Sequence, residues 1–258
     1  MNTKALILKR LTEIADSLQK TGDAKALLGL GSIGMELERL DEWSDLDFFV
    51  IVKDGMKKRY IDNLDWLTNC GTPAFYFLNS PDGYKYLYED GIYCEFAVFE
   101  EHELSNTQFS SGRIIWKTKD FDESLCTPVK KNTPWKPDNL DWAMGEVLTC
   151  LYVGLCRFGR GEKLISTKFV QTFALDILVA CASYFEQEVS YFKDDFQNER
   201  RFEIRFPHFA SKIPGMMQGY DKVPESALAI LEYVESKYNV NDGIKNAIIE
   251  LAQRVKKL

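Results

Sequence analysis

The pattern of apolar residues changes once along the sequence, at a connector that contains prolines. This change constrains the fold more than any other feature. Between Lys117 and Asp138 the chain carries three prolines and few periodic apolar residues, which is typical of a connecting segment. Short apolar runs alternate with helical segments before the connector, whereas helical periodicity dominates after it. The sequence therefore predicts an α+β fold, with a mixed-sheet domain at residues 1–125 followed by a C-terminal helical bundle at residues 138–258.

Local periodicity predicts the elements of each half. In the first half, it predicts helices at 6–18, 33–40 and 57–70, and strands at 25–30, 45–52, 74–78, 84–88 and 92–99. In the second half, it predicts helices at 140–158, 163–188, 227–238 and 244–255. The strand at 45–52 is rich in β-branched and aromatic residues, which is typical of a buried central strand.

Composition and charge exclude several classes of function. The chain has 32 Lys and Arg against 39 Asp and Glu, and its net charge of −7 has the wrong sign for binding nucleic acid through the overall field. Six cysteines without a C-x-x-C pair, and only two histidines, cannot supply a structural zinc cage. The first residues show no signal-peptide pattern, and the apolar stretch at 173–185 is short and interrupted by Asp176. We therefore expect a cytoplasmic protein with reduced thiols and with neither a membrane nor a nucleic-acid partner.

Two aspartates at the start of the predicted central strand are the first candidates for chemistry. Asp45 and Asp47 lie two residues apart, so their side chains point to the same face of a strand. Two carboxylates beside an apolar strand are costly unless a positive charge balances them, and a hard divalent cation such as Mg²⁺ does so. In the alternative interpretation, Ser44 and Asp45 cap a turn and Asp47 is a strand-end charge in water.

Two further features accompany these aspartates. Gly31 and Ser32 lie where a predicted strand meets a short helix, a geometry in which backbone N–H groups and a hydroxyl can hold phosphate oxygens. Glu95 is a single acid inside an apolar strand that we expect next to the Asp47 strand. Its alternative interpretation is a buried glutamate paired with a lysine or arginine.

Together, Gly31-Ser32, Asp45-Leu46-Asp47 and Glu95 resemble the nucleotidyltransferase superfamily related to DNA polymerase β. The size, the helical second half and residues 151–163 are most similar to the lincosamide nucleotidyltransferases and, more distantly, to the kanamycin nucleotidyltransferases. The resemblance implies transfer of a nucleoside monophosphate from a nucleoside triphosphate, ATP or GTP, to a hydroxyl group, with release of pyrophosphate.

The resemblance also implies roles for these residues. Asp45 and Asp47 would bind two Mg²⁺ ions, and Gly31 and Ser32 would hold the triphosphate. Glu95 would complete the second metal site or accept the proton of the attacking hydroxyl. An acid of the helical half, Glu146, is the alternative general base.

The sequence departs from the superfamily pattern at one point. Members often carry an arginine or lysine shortly after Gly-Ser, whereas the first basic residue here is Arg39. The charge that neutralises the triphosphate would then come from another basic residue; the candidates are Arg113, Lys117, Arg157, Arg160 and Lys163.

The acceptor and the assembly are expectations of the same resemblance. We expect a small hydroxylated acceptor, with lincosamide and aminoglycoside antibiotics as candidates, bound between the sheet and a helical domain that also forms a homodimer. Apolar residues at 148–158 and 169–185 motivate the dimer. Two alternatives stay open: a toxin-type transferase that modifies a protein or an RNA, and a nucleotide-binding protein without catalysis.

Overall fold

The computed structural model describes residues 3–130 and 132–257 and confirms the α+β class. The chain divides between Asn132 and Thr133 into two compact units, a sheet unit and a helical unit. This division lies inside the proline-bearing connector.

The sheet unit is built on one six-stranded mixed sheet. The strands are β1 (Ala24–Gly29), β2 (Leu46–Val52), β3 (Pro73–Ser80), β4 (Gly83–Tyr88), β5 (Tyr93–Glu100) and β6 (Arg113–Lys117). Their order in the sheet is β3-β4-β5-β2-β1-β6. Strands β2 and β5 are parallel, and every other neighbouring pair is antiparallel. The sequence pattern did not predict β6, because all five of its residues are half-buried and show no alternation.

Three helices cover one face of this sheet. They are α1 (Lys4–Thr21), α2 (Lys57–Asp62) and α3 (Asp65–Thr68). The side chain of Thr3 caps α1, and Gly22 ends it at a φ of 77°. Beneath the helices, Phe48 of β2 stacks on Phe96 of β5 with ring centroids 5.3 Å apart, and Trp66 of α3 packs edge-on against both rings. This buried aromatic cluster fixes which residues of β2 and β5 point toward the helices.

Two predicted helices of this unit are interrupted. The predicted helix at 33–40 consists of two separate 3₁₀ turns, Gly31–Ile33 and Leu37–Arg39. Between them the chain folds back on β1, where a Cβ on Gly34 would lie 2.7 Å from the carbonyl oxygen of Gly29, so no continuous helix fits. The predicted helix at 57–70 is divided at Asn63, whose extended backbone separates α2 from α3.

The opposite face of the sheet is covered over only part of its length. Phe99 at the end of β5 packs with Leu104, Phe109 and Phe121 from the segments that follow. Two further 3₁₀ turns, Glu101–Asn106 and Glu123–Cys126, lie in these segments. The beginnings of β2 and β5 lie outside this cluster and form an open face with charged side chains.

The helical unit has its own core. Its helices are α4 (Leu140–Gly159), α5 (Lys163–Lys168), α6 (Ala174–Ala180), α7 (Ala182–Phe185), α8 (Phe202–Arg205), α9 (Pro207–Ala210), α10 (Ile213–Met216), α11 (Val223–Lys237) and α12 (Asp242–Val255). A π-helical turn, Phe169–Phe173, joins α5 to α6, so the helix predicted at 163–188 is segmented and ends at Phe185. Gly154 lets α4 approach this segment, because a Cβ there would lie 2.6 Å from Val170 Cγ2.

The apolar segments that motivated the predicted homodimer lie largely inside this core. Leu151, Leu155 and Val170 are fully buried within the unit, whereas Phe173 is exposed. The homodimer stays a prediction. Separately, none of the helices in the described residues is both long enough and apolar enough to cross a membrane.

Candidate active site

Strands β2 and β5 place two of the predicted acids side by side on the open face. The parallel register pairs Asp47 directly with Glu95. Because side chains alternate along a strand, Leu46 and Phe48 enter the core under the helices while Asp47 points to the opposite face. The aromatic packing around Phe48 therefore fixes the direction of the Asp47 carboxylate.

Asp45 lies one residue before β2 rather than within it, at the same end of the sheet. Tyr93, the first residue of β5, lies at the same end of the sheet, and its pKa responds to the charge of Asp45. Burial raises the pKa of the Tyr93 phenol, Lys85 opposes that rise, and the negative charges of Glu95, Asp45 and Asp47 add to it. All three acids raise the pKa of this phenol, and all three lie at the same end of the sheet.

The Gly31–Ser32 turn follows β1 and lies against Asp47. The N–H of Leu30 donates to the Asp47 carbonyl at 2.8 Å, and Gly31 adopts a φ of 52°. A Cβ on Gly31 would be 3.8 Å from Asp47 Oδ2, so the turn borders the carboxylate itself. Among the described residues, the backbone N–H groups of Gly31 and Ser32 and the Ser32 hydroxyl have no hydrogen-bond partner. These donors are free to bind an anionic ligand.

Glu95 has two polar neighbours on the β4 side. Lys85 Nζ lies 3.4 Å from Glu95 Oε2, and Asn79 Nδ2 donates to Oε1 at 3.5 Å. Attraction to Glu95 raises the pKa of Lys85. The alternative interpretation of Glu95 is thus right about a lysine partner and wrong about burial, because the Glu95 side chain is 45% exposed.

Sequence reasoning missed Lys85, although a signal for it existed. The residues Glu89-Asp90-Gly91 form the short turn between the strands predicted at 84–88 and 92–99, and the N–H of Tyr88 donates to the Ile92 carbonyl at its closing pair. Counting back from that pair brings Lys85 opposite Glu95, as the observed register shows.

The oxygen donors of this site suit Mg²⁺, which prefers carboxylate and hydroxyl ligands. Asp45, Asp47 and Glu95 do not form a group whose ligand atoms all lie within 4.8 Å of one another, and Glu95 contacts Lys85 of β4 and Asn79 of β3. Among the described residues, the group whose potential ligand atoms all lie within 4.8 Å of one another is Asp54, Glu100 and His102. That group is located about 20 Å from Asp47, at the opposite ends of β2 and β5, and Asp54 and His102 are largely exposed.

The basic residues proposed to neutralise the triphosphate, and the alternative base Glu146, lie at different places in the two units. Arg113 of β6 lies beside the Gly31–Ser32 turn, where it donates to backbone carbonyls. Three other basic candidates have carboxylate partners, in the pairs Lys117–Glu123, Arg157–Glu162 and Lys163–Asp221. Glu146 is exposed on α4 of the helical unit.

No family model matches the chain. No curated protein matches it either. An aminoglycoside 6-adenyltransferase structure from Bacillus subtilis is 12% identical, with 99% of each chain covered and a TM-score of 0.39. A spectinomycin adenyltransferase structure from Enterococcus faecialis, with ATP and spectinomycin, is 11% identical, with 99% of this chain and 100% of that chain covered and a TM-score of 0.32. Both TM-scores are below 0.5, so neither similarity carries an argument about the function of this chain.

Proposed function

We propose that this chain is a nucleotidyltransferase that moves a nucleoside monophosphate from ATP or GTP to a hydroxyl of a small molecule and releases pyrophosphate. The observation that carries this proposal is the convergence of the Gly31–Ser32 turn with Asp45, Asp47 and Glu95 at one end of the sheet. A turn with free N–H groups suits phosphate, and three acids on an open face suit divalent cations.

Each side chain has a role in this reaction. The free N–H groups of the turn and the Ser32 hydroxyl bind phosphate oxygens. Asp45 and Asp47 would hold Mg²⁺, with Glu95 as a further ligand. When bound, Mg²⁺ would neutralise charge on the triphosphate and favour the alkoxide form of the attacking hydroxyl.

Glu95 is the proposed base of the transfer step. The acceptor oxygen forms a bond to the α-phosphorus. At the same time, the bond breaks between the α-phosphorus and the oxygen that bridges it to the β-phosphorus, so pyrophosphate leaves. The proton of the acceptor hydroxyl moves to a Glu95 carboxylate oxygen. Glu95 is favoured over Glu146 because it shares a strand register with Asp47, a proposed metal ligand.

The nature of the acceptor and of the assembly is also a proposal. We assign the acceptor to small hydroxylated compounds, with lincosamide and aminoglycoside antibiotics as candidates. Residues 138–258 would bind the acceptor and form the homodimer. We propose a cytoplasmic location, where nucleoside triphosphates are available.

Incubation of the purified chain with MgCl₂, ATP or GTP and a panel of lincosamides, aminoglycosides and spectinomycin tests this proposal. Mass spectrometry should detect an acceptor heavier by one nucleoside monophosphate, with equimolar pyrophosphate, and EDTA should abolish both products. Nucleotide binding without any adduct would support the non-catalytic alternative, and an adduct on a co-incubated protein or RNA would support the toxin-type alternative. Absence of nucleotide binding would refute the assignment.

A further inference from the structure

Arg113 supports the Gly31–Ser32 turn from a neighbouring strand. It pairs with Gly29 across β1 and β6. Its Nε donates to the carbonyl oxygens of Ile33 at 3.1 Å and Gly34 at 3.2 Å, and its Nη2 donates to Ile33 at 2.9 Å. These carbonyls come directly after Ser32, so the guanidinium fixes the backbone on which the free N–H groups of the turn are carried.

The charge of Arg113 has no counterion in the described part of the chain. No carboxylate there forms an ion pair with it, and burial alone lowers its pKa from the usual value for arginine. An arginine remains protonated at neutral pH, and a half-buried cation without a partner is unfavourable. This unpaired charge distinguishes Arg113 from Lys117 on the same strand, which pairs with Glu123 at 3.1 Å.

Arg113 also retains donors for a ligand. A guanidinium has five N–H groups, and the observed bonds use the one on Nε and one on Nη2. The first basic residue after Ser32, Arg39, forms an ion pair with Glu36 instead. The charge missing from the sequence after Gly31-Ser32 is therefore present beside the turn, supplied by β6.

We propose that Arg113 is a phosphate-binding residue of this site, which holds the Gly31–Ser32 turn in place and contributes its charge and remaining N–H groups to the polyphosphate of the nucleotide. The inference rests on the proposed function for the identity of the nucleotide. The anion site that it describes can be tested separately with inorganic tripolyphosphate.

The experiment measures binding of tripolyphosphate, MgATP, MgGTP and AMP by titration calorimetry. It uses the unchanged chain and the variants Arg113→Gln, Arg113→Lys and Lys117→Gln. We expect Arg113→Gln to weaken tripolyphosphate and nucleoside triphosphate binding roughly 10- to 100-fold, the range for loss of charged hydrogen bonds. AMP, which lacks the β- and γ-phosphates, should be affected less. Lys117→Gln removes the same charge from the same strand and should change binding less than about threefold.

Arg113→Lys separates charge from support of the turn. A lysine retains the positive charge but lacks the planar fork that bonds two carbonyls. We expect it to recover part of the tripolyphosphate affinity lost in Arg113→Gln. Equal weakening by lysine and glutamine would assign Arg113 to support of the turn alone and overturn the phosphate-binding claim.

The remaining outcomes separate this inference from the proposed function. Unchanged tripolyphosphate binding in Arg113→Gln would overturn the inference and leave the proposed function standing. Tripolyphosphate binding that depends on Arg113, without MgATP or MgGTP binding, would support the inference and refute the proposed function. Absence of tripolyphosphate and nucleotide binding in the unchanged chain would overturn both.

A second measurement uses the unchanged chain, so it stays informative if the variants do not fold. Phenylglyoxal modifies accessible arginines, and peptide mass spectrometry locates the products. Tripolyphosphate should protect Arg113 several-fold while Arg157 stays reactive. Equal modification of Arg113 with and without tripolyphosphate would overturn the inference.

Discussion

Two glutamates, one in each unit, show how a structural acid differs from one available to a ligand. Glu186 of the helical unit is 10% exposed, and Oε1 contacts His208 Nδ1 at 2.7 Å and Lys237 Nζ at 3.4 Å. The Tyr233 hydroxyl donates to the same oxygen at 3.2 Å, and the N–H of Phe209 donates to Oε2 at 3.0 Å.

Glu95 of the sheet unit has a long contact to Lys85 and a hydrogen bond at 3.5 Å, and it is far more exposed. The protein satisfies both oxygens of Glu186, so removing its charge should affect folding. The protein leaves most of the hydrogen-bonding capacity of Glu95 to solvent or ligand, so removing its charge should affect function.

The largest effect is expected on the open face, at Asp47. Asp47→Asn removes a proposed metal ligand and should lower the rate of nucleotidyl transfer at least about 10³-fold, equivalent to about 4 kcal/mol of transition-state stabilisation. Its free energy of unfolding should change by less than about 0.5 kcal/mol, because the side chain is outside the core. Urea unfolding and a pyrophosphate-release assay measure the two quantities. Asp54→Asn, beyond the other end of β2, is the matched control and should leave both unchanged; a near-normal rate in Asp47→Asn would remove the metal assignment.

Glu95→Gln should have the next largest effect. Loss of the proposed base should lower kcat about 10²-fold, whereas affinity for the nucleoside triphosphate should stay within about twofold. Calorimetry and steady-state kinetics separate the two effects. Glu146→Gln, an exposed acid of the helical unit, is the comparison variant and should retain kcat. The reverse result would move the general base to the helical unit.

Glu186→Gln should act on stability instead. Gln keeps the shape but weakens the charged hydrogen bonds, so the free energy of unfolding of the helical unit should fall by about 1–3 kcal/mol. Urea unfolding monitored by circular dichroism measures this loss. Glu203→Gln on α8, an exposed glutamate, should change the free energy by less than about 0.5 kcal/mol. Equal stability of the two variants would contradict the structural role of Glu186.

The pH dependence of that stability gives the smallest effect. Burial acts to raise the pKa of Glu186, but the hydrogen bond and charge of His208, the charge of Lys237 and the N–H of Phe209 outweigh it and lower the pKa. A lowered folded-state pKa gives stability that is complete above the unfolded value, about 4.3, and is lost as pH falls through the folded value.

At about pH 5 the unfolding free energy of the unchanged chain should therefore exceed that of Glu186→Gln, and this difference should shrink below about pH 4.3. Denaturant titrations at a series of pH values from about 5 downward measure it. A difference that grows as the pH falls below about 4.3 would contradict the direction of the shift.

Sequence patterns predicted the parts of the fold in which local and tertiary preferences agree. The runs that became β2 and β5 are bounded, apolar and β-branched or aromatic, and their adjacency was expected from the acids they carry. The pattern failed at β6, which is half-buried along its length. Its partner strand, β1, lies far from it in the sequence. The pattern also failed at residues 33–40, where the close approach of Gly34 to Gly29 prevents the continuous helix that local periodicity favours.

Some residues of the candidate site could likewise be predicted from the sequence, and others could not. Asp45, Asp47, Glu95, Gly31 and Ser32 could be selected because their chemistry is conspicuous beside apolar strands. Lys85 required the hairpin register, and Arg113 required knowledge that β6 pairs with β1. Arg113 was one of five basic candidates in the sequence, and only tertiary structure shows that it lies beside the Gly31–Ser32 turn without a carboxylate partner in the described residues.

The parallel register of β2 and β5 constrains how this protein can change during evolution. The pairing is continuous from Leu46 and Cys94 to Val52 and Glu100, and alternate residues of the same segment form the aromatic core and the charged face. A single inserted or deleted residue near the start of β2 would exchange the two faces, so that Phe48 leaves the aromatic core and the Asp47 carboxylate enters it. Substitutions on the charged face do not disturb the core, whereas length changes disturb both at once. Diversification of the chemistry should therefore proceed by replacement of side chains, with the length of this strand held constant.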